Sequence, residues 1–199
     1  FLVIQNLKKL LKSKKMLINV GDEGGFAPLI NTNEEALELI VQAIEKSNLK
    51  AGNDIVICLD VAANELINKN GEYSIQSKSF TSVDNVINYY KKLTSEYPIK
   101  SIEDPFAEDD WDSWKKITDA IGGSVQIVGD DLFVTNTKRL EKGINERSAN
   151  SILIKPNQIG TLTETLEVIS MAKKANLNTI ISHRSGDTED TFIADLAVA

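Results

Sequence analysis

Six short apolar runs in this chain each end in an acidic or basic side chain. They occupy residues 17–23, 55–60, 100–104, 126–131, 152–155 and 179–184. A continuous apolar run of this length is typical of a strand buried on both faces, as in a parallel sheet. β/α barrels build their active sites from side chains at the C-terminal ends of such strands. The pattern therefore constrains both the fold and the place where chemistry would occur.

Segments with helical periodicity lie between the predicted strands. We predict helices over residues 36–47, from 81 onward, and over 110–120, 138–146, 161–175 and 188–198. Alternation of strand and helix indicates parallel β/α architecture rather than two unrelated domains. A complete eight-unit barrel needs roughly 250 residues. We therefore predict an α/β fold, a TIM-type β/α barrel that is incomplete, with about six units and a small hairpin near Asn70-Gly71.

Both ends of the sequence look cut. Phe1 enters a helical pattern at once, and the last residues carry no C-terminal capping signal. We interpret residues 1–199 as one partial barrel domain, internal to a longer protein. Expressed alone, such a piece is expected to be inactive.

Composition narrows the classes of partner and the compartment. The net charge is −7 and no basic stretch is interleaved with aromatic residues, so nucleic acid is not an expected partner. No apolar run approaches the roughly 18 residues of a membrane span, and no signal peptide opens the sequence. Cys58 lies in an apolar run and is expected to be a buried packing residue, which suits a reducing compartment. A cytoplasmic location is the expectation.

Three carboxylates end three consecutive predicted strands: Asp60, Glu103 and Asp130. Barrel geometry would bring them toward one point, where they cannot all stay ionised without a counter-charge. Oxygen ligands favour a hard cation such as Mg²⁺ over zinc. The alternative is that each acid caps the helix that follows it.

Two further strand-end groups have the types needed for proton transfer. Lys155 ends a buried run, and a cation beside it would favour its neutral form, which makes it a candidate general base. The alternative for Lys155 is a salt bridge to a neighbouring acid. Glu23 lies among glycines in residues 21–25 and is a candidate general acid, with a solvated turn as its alternative.

The segment around His183, Arg184 and Ser185 combines a guanidinium, a hydroxyl and backbone amides ahead of a predicted helix start. Such a set suits a phosphate group. Ser182 beside His183 also suggests a hydrolase, but no Gly-x-Ser-x-Gly pattern occurs in the sequence. His183 is the only histidine, and a lone histidine is usually structural.

An ordered set of motifs across nearly the whole chain resembles the enolase family. The matching stretches are VGDEGGFAP (20–28), LDVAANE (59–65), SIEDPF (101–106), DDW (109–111), GDDL (129–132), VTN (134–136), ILIKPNQIGTL (152–162) and SHRSGDTED (182–190). Asp187 stands where the family usually has Glu, and Pro156 where Val or Leu is common.

The resemblance implies roles for five residues. It makes Glu23 the proton donor and Lys155 the base that takes the substrate's α-proton. It makes Asp60, Glu103 and Asp130 the ligands of a catalytic Mg²⁺. The implied reaction is the reversible dehydration of 2-phospho-D-glycerate to phosphoenolpyruvate in glycolysis and gluconeogenesis.

The resemblance also implies how substrate is held. Arg184 and Ser185 would contact its phosphate, with His183 nearby. The whole implied substrate-binding set is Lys155, Glu103, Asp130, His183, Arg184 and Ser185. A homo-oligomer, dimer or larger, is implied, along with a cytoplasmic location to which some enolases add a cell-surface or secreted pool. The family's amino-terminal domain, its first barrel strands and a late substrate-binding lysine fall outside this sequence.

The sequence is also compatible with two other functions. A different acid-sugar dehydratase of the enolase superfamily would share the barrel and the three metal acids, but should lack the phosphate segment. A non-catalytic relative would tolerate loss of Lys155 or Glu23, and both residues are present.

Overall fold

The computed structural model describes residues 1–21, 24–75 and 78–199. The helices are α1 (Leu2–Ser13), α2 (Asn33–Glu45), α3 (Val83–Glu96), α4 (Trp111–Ile121), α5 (Thr137–Glu146), α6 (Pro156–Ile159), α7 (Leu162–Lys174) and α8 (Phe192–Val198). The strands are β1 (Ile57–Asp60), β2 (Tyr73–Ile75), β3 (Lys78–Phe80), β4 (Ile99–Glu103), β5 (Gln126–Gly129), β6 (Ser151–Ile154) and β7 (Asn178–Ile181). No helix in these ranges has the length and apolar character needed to cross a bilayer.

Five strands form one parallel sheet in the order β1-β4-β5-β6-β7. Because every pairing is parallel, the carboxyl ends of all five strands lie at the same end of the sheet. The α/β organisation predicted from the sequence is thus present. The strands β2 and β3 form a separate antiparallel pair.

The predicted hairpin at Asn70-Gly71 is only part of that small unit. Ile67 and Tyr73 bridge across this turn, but the paired strands are β2 and β3, which follow it. The turn is held by the Asn68 side chain, whose oxygen accepts from the backbone N–H of Asn70 at 2.8 Å. Asn70-Gly71 therefore joins the two segments predicted to pair across it, residues 66–67 and 73–75, through one bridge and the hydrogen bond from Ser74 N–H to the Leu66 carbonyl, whereas the longer pairing of β2 with β3 was not predicted.

Side-chain caps fix where several helices begin. Each cap oxygen accepts a backbone N–H of the first helical turn, which satisfies a group that the helix itself leaves unpaired. The capping residues are Thr32 for α2, Ser82 for α3, Asp110 for α4, Asn136 for α5 and Thr161 for α7. The loops between strand ends and helices therefore have defined ends, which is what positions side chains within them.

The core lies between the sheet and the helices packed on it. β6, in the interior of the sheet, is buried along its full length. Ile127 on β5, Trp114 on α4 and Leu140 on α5 are completely buried beside it. The prediction that a continuous apolar run forms a strand buried on both faces thus holds most clearly in the middle of the sheet.

The first predicted strand is wrong where the structure describes it. Residues 17–21 join no sheet, and Leu17 and Val20 are 52% and 59% exposed. Instead, Val20 bridges Phe26, and the N–H of Gly21 donates to the carbonyl of Gly25 at 2.9 Å. The glycine-rich segment turns the backbone on itself, so its polar groups pair locally. Among the described residues the parallel sheet therefore has five strands rather than six.

Two smaller expectations also fail. Cys58, expected to be buried, is exposed, because β1 is an edge strand whose burial alternates and Cys58 lies on the same, less covered face as Asp60. The last helix begins at Phe192 rather than at residue 188. Its start is set by the Asp190 side chain, which accepts the N–H of Phe192 at 2.8 Å.

Candidate active site

A cavity of about 670 Å³ opens at the carboxyl ends of the parallel strands. Its walls include three acids that we call the acid triad: Asp60, Glu103 and Asp130. Lys155 and the segment of residues 182–185 line the same cavity. Asp60 and Glu103 are register partners on adjacent strands, so their side chains leave the same face of the sheet. The structure thus brings together every predicted site residue that it describes.

The acid triad does not cap the helices that follow it. Those helices, α3, α4 and α5, are capped by other residues: Ser82, Asp110 and Asn136. Asp60 does accept one local hydrogen bond, from the N–H of Ala62 at 3.1 Å. The capping alternative is therefore wrong, and these carboxylates are directed to the cavity.

Negative charge accumulates in this cavity. Burial and, to a lesser extent, the neighbouring carboxylates of Asp60 and Asp130 together raise the pKa of Glu103 to about 8. Partial burial also raises the pKa of Asp60, although the N–H of Ala62 opposes that shift. A cation bound among these oxygens would favour the ionised forms.

Asp130 and Lys155 form an ion pair inside the site. This is the salt bridge that the sequence left open as the alternative for Lys155. The second carboxylate oxygen of Asp130, Oδ1, is buried and accepts no hydrogen bond from the described residues. A buried anionic oxygen without a partner is costly. Its position and oxygen chemistry fit a ligand of a hard cation.

A second acidic cluster lies behind the acid triad. Among the described residues, carboxylate oxygens of Asp104, Asp130 and Asp131 come within 4.8 Å of one another, a spacing that the acid triad does not meet. The two oxygens of Asp104 already accept the backbone N–H groups of Asp130 and Asp131, at 3.0 and 2.9 Å. Asp104 thus holds the backbone of the loop after β5 in place.

No role for Asp104 was predicted from the sequence. Burial raises its pKa to about 7, although the two N–H groups that it accepts lower it. The sequence feature that could have indicated this role is a pair of consecutive acids at the end of two predicted strands, Glu103-Asp104 and Asp130-Asp131. One member of the first pair enters the cavity, and the other binds the backbone of the second pair.

The predicted phosphate segment follows β7 and is more exposed. The N–H of Ser182 donates to the carbonyl of Ile154 at 2.9 Å, which ties the segment to β6. The N–H of Arg184 donates to Asp187 Oδ2 at 2.9 Å, and the Asn157 amide donates to Asp187 Oδ1. Asp187 therefore links the segment after β7 to α6, a role that was not predicted from the sequence.

The surroundings of this segment differ from those predicted. The helix expected to begin near it starts only at Phe192, so residues 183–185 do not form a helix N-terminus. His183 lies beside Arg184, with its Nδ1 3.2 Å from the Arg184 carbonyl oxygen. The candidate acid, Glu23, lies outside the described residues.

Comparison with known proteins identifies the family. The family model "Enolase, C-terminal TIM barrel domain" matches residues 2–199. The chain is 62% identical over 198 residues to the protein named enolase from Pelagibacter ubique, covering 100% of this chain. It is 50% identical over 198 residues to the enolase of Wolinella succinogenes, covering 99% of this chain. It spans 47% of the length of each relative. The chain belongs to the enolase family and matches its C-terminal TIM barrel domain.

Proposed function

We propose that the intact protein is an enolase that catalyses the reversible, Mg²⁺-dependent dehydration of 2-phospho-D-glycerate to phosphoenolpyruvate, a step of glycolysis and gluconeogenesis. The observation that carries the proposal is the cavity that holds the acid triad, Lys155 and residues 182–185 together. Relatives named enolase, matched along essentially all of this chain, support the same reaction.

The acid triad would hold the Mg²⁺. Its ligands are all carboxylate oxygens, which a hard cation prefers, and Asp130 Oδ1 is buried without a hydrogen-bond partner among the described residues. When bound, Mg²⁺ supplies charge that offsets the negative charge developing on the substrate carboxylate. Asp104 would keep Asp130 in place through its hydrogen bonds to the backbone after β5.

Lys155 would remove the α-proton of the substrate. Its Nζ forms an ion pair with Asp130 Oδ2. Before Lys155 can accept the α-proton of the substrate, its ammonium group must release a proton to solvent and its ion pair with Asp130 must break. Engagement of the Asp130 carboxylate by a cation would weaken that ion pair and favour the neutral amine. The same carboxylate thereby connects cation binding to activation of the base.

Residues 183–185 would bind the phosphate, with Arg184 supplying a guanidinium suited to bidentate contact. Glu23 would donate the proton that lets hydroxide leave the neighbouring carbon as water. That assignment is supported by the match of residues 20–28 to the family's motif, because Glu23 lies outside the described residues. A homo-oligomer in the cytoplasm is expected on the same family grounds.

Solvent-exchange measurements on the intact protein test the two proton-transfer roles. Lys155→Ala should abolish both turnover and exchange of the substrate's α-hydrogen with deuterated solvent. Glu23→Gln should abolish net dehydration but leave exchange detectable, because the base remains. Each loss should be at least about 10²–10⁴ in rate.

The outcomes separate the open alternatives. Exchange retained in Lys155→Ala and lost in Glu23→Gln would reverse the two roles. A wild-type protein that processes unphosphorylated acid sugars but not 2-phospho-D-glycerate would indicate the dehydratase reading. A folded wild-type protein with neither turnover nor exchange would indicate a non-catalytic relative.

A further inference from the structure

Two consecutive β-branched residues adopt the left-handed backbone region just after β5. Val134 has φ +44° and Thr135 has φ +51°. This region is unfavourable for any residue with a Cβ and most unfavourable for β-branched ones. Non-glycine residues persist there only when the surrounding contacts impose the conformation, and they are concentrated at functional sites.

The turn that imposes this conformation begins at Asp130. The Asp130 carbonyl accepts the N–H groups of Phe133 and Val134, at 3.1 and 2.8 Å. The turn ends at Asn136, which caps α5. Thr135 is completely buried between these fixed points. The backbone of an acid-triad residue thus determines where the Thr135 side chain is directed.

The Thr135 hydroxyl forms hydrogen bonds with the segment that follows the next strand of the sheet, β6. Its Oγ1 accepts the backbone N–H of Lys155 at 2.9 Å and donates to Gln158 Oε1 on α6 at 3.0 Å. Lys155 lies between β6 and α6. Its backbone N–H is therefore outside the hydrogen bonds of the strand and of the helix. One buried hydroxyl therefore ties the loop after β5 to the backbone of the candidate base.

We propose that Thr135 is a positioning residue that sets the location of Lys155 relative to Asp130. The strained turn starting at Asp130 places the hydroxyl, and the hydroxyl holds the Lys155 backbone, so the two ends of the ion pair are fixed by one connected segment. This inference rests on the proposed role of Lys155 as the base. Thr135 itself does not line the cavity and acts only through Lys155.

The test compares Thr135→Val with Thr135→Ser in the intact protein. Valine keeps the shape but removes the hydroxyl, whereas serine keeps the hydroxyl. Thr165→Val is the matched control, because Thr165 is also completely buried and its hydroxyl donates to the Thr161 carbonyl at 2.8 Å on α7, away from the cavity. The measurements are kcat, KM, α-hydrogen exchange in deuterated solvent and melting temperature.

We expect Thr135→Val to lower kcat and the exchange rate together by about 10- to 100-fold, the effect of displacing a catalytic group by about an ångström, with KM little changed. Thr135→Ser should restore most of both rates. Thr165→Val should lower the melting temperature without a comparable fall in kcat. If Thr135→Val does not accumulate as folded protein, Thr135→Ala removes the hydroxyl and the β-branch together and should show the same kinetic loss.

The inference is overturned if the hydroxyl-free variants keep the wild-type exchange rate, or if Thr135→Ser is as slow as they are. It is also overturned if Thr165→Val reproduces the kinetic loss, because the effect would then follow from stability alone. In all these outcomes wild-type turnover persists, and the proposed function stands. A wild-type protein that neither dehydrates 2-phospho-D-glycerate nor exchanges its α-hydrogen would instead remove the proposed function.

Discussion

The two sides of the cavity are built differently. On the side of Lys155 and Asp130, the side chains are only 17% and 11% exposed, and buried hydrogen bonds cross between neighbouring loops. On the side of Arg184, residues 183–185 are exposed and tied chiefly through Asp187. A proton-transfer group needs accurate placement, whereas a phosphate can be captured by an exposed, charged segment. The structural difference therefore parallels the proposed division between chemistry and substrate capture.

The largest effect is expected on the buried side, from Asp130→Asn in the intact protein. The change weakens the proposed cation site and the ion pair with Lys155 at once. Loss of a group that merely supports a metal ligand commonly costs 10- to 100-fold in metal affinity, so loss of a ligand should exceed about 100-fold. Titration calorimetry with Mg²⁺ and steady-state kinetics measure it. Asp112→Asn, on the exposed face of α4, is the control and should change neither the Mg²⁺ affinity nor the kinetics. If Asp112→Asn lowered both as much as Asp130→Asn does, the effect would not be specific to the proposed site.

A smaller effect is expected on the exposed side, from Asp187→Ala. The variant removes the acceptor of the Arg184 N–H and of the Asn157 amide. Hydrogen bonds to charged groups contribute about 1.5–3 kcal/mol, and exposure reduces that amount. We expect KM for 2-phospho-D-glycerate to rise about three- to tenfold with kcat nearly unchanged. Glu189→Ala, a neighbouring exposed acid, is the control. A fall in kcat with unchanged KM would contradict the division of roles.

The smallest effect is the pH dependence of stability without added divalent cation. Folding raises the pKa of Glu103 from 4.5 to about 8 and that of Asp104 from 3.8 to about 7. The folded state therefore binds more protons than the unfolded state between these values. This contribution to stability is complete below about pH 4 and is lost as the pH rises through 7 to 8.

Melting temperatures measured in chelator should reveal that dependence. The slope between pH 5 and pH 8 should be less negative in Glu103→Gln, which cannot ionise, than in the wild type. Mg²⁺ added at pH 8 should raise the wild-type melting temperature more than that of the variant. Identical slopes in the two proteins would show that Glu103 does not titrate in this range.

The middle of the molecule was the most predictable from sequence. β6 is buried on both faces, so its continuous apolar run carries unambiguous information. The first predicted strand and the edge strand β1 were less predictable. Residues 17–20 have the same kind of run, but the glycines that follow let the backbone pair locally, and nothing in a short apolar run distinguishes these outcomes. Cys58 was misjudged because burial of an edge strand depends on which neighbours cover it.

The site followed a similar division. The acids, Lys155 and residues 182–185 were predictable because their positions at strand ends follow from the alternation of elements. The supporting contacts were not. Asp104 and Thr135 act through the backbone N–H groups of Asp130 and Lys155, which follow other strands at sequence separations of 26 and 20 residues. A left-handed Val-Thr pair leaves no trace in composition or periodicity, so only the folded structure shows it.

We propose that the acid triad, rather than the cluster of Asp104, Asp130 and Asp131, holds the divalent cation. The two sets share Asp130 and differ in their other members. A crystal structure of the intact protein soaked in Mn²⁺ as a stand-in for Mg²⁺, with an anomalous-difference map, distinguishes them directly. We predict a peak bound by Asp60, Glu103 and Asp130 at close to the roughly 2.0–2.1 Å typical of Mg–O bonds. A peak coordinated by Asp104 and Asp131, with no contact to Asp60 or Glu103, would show that the acid triad does not hold the cation.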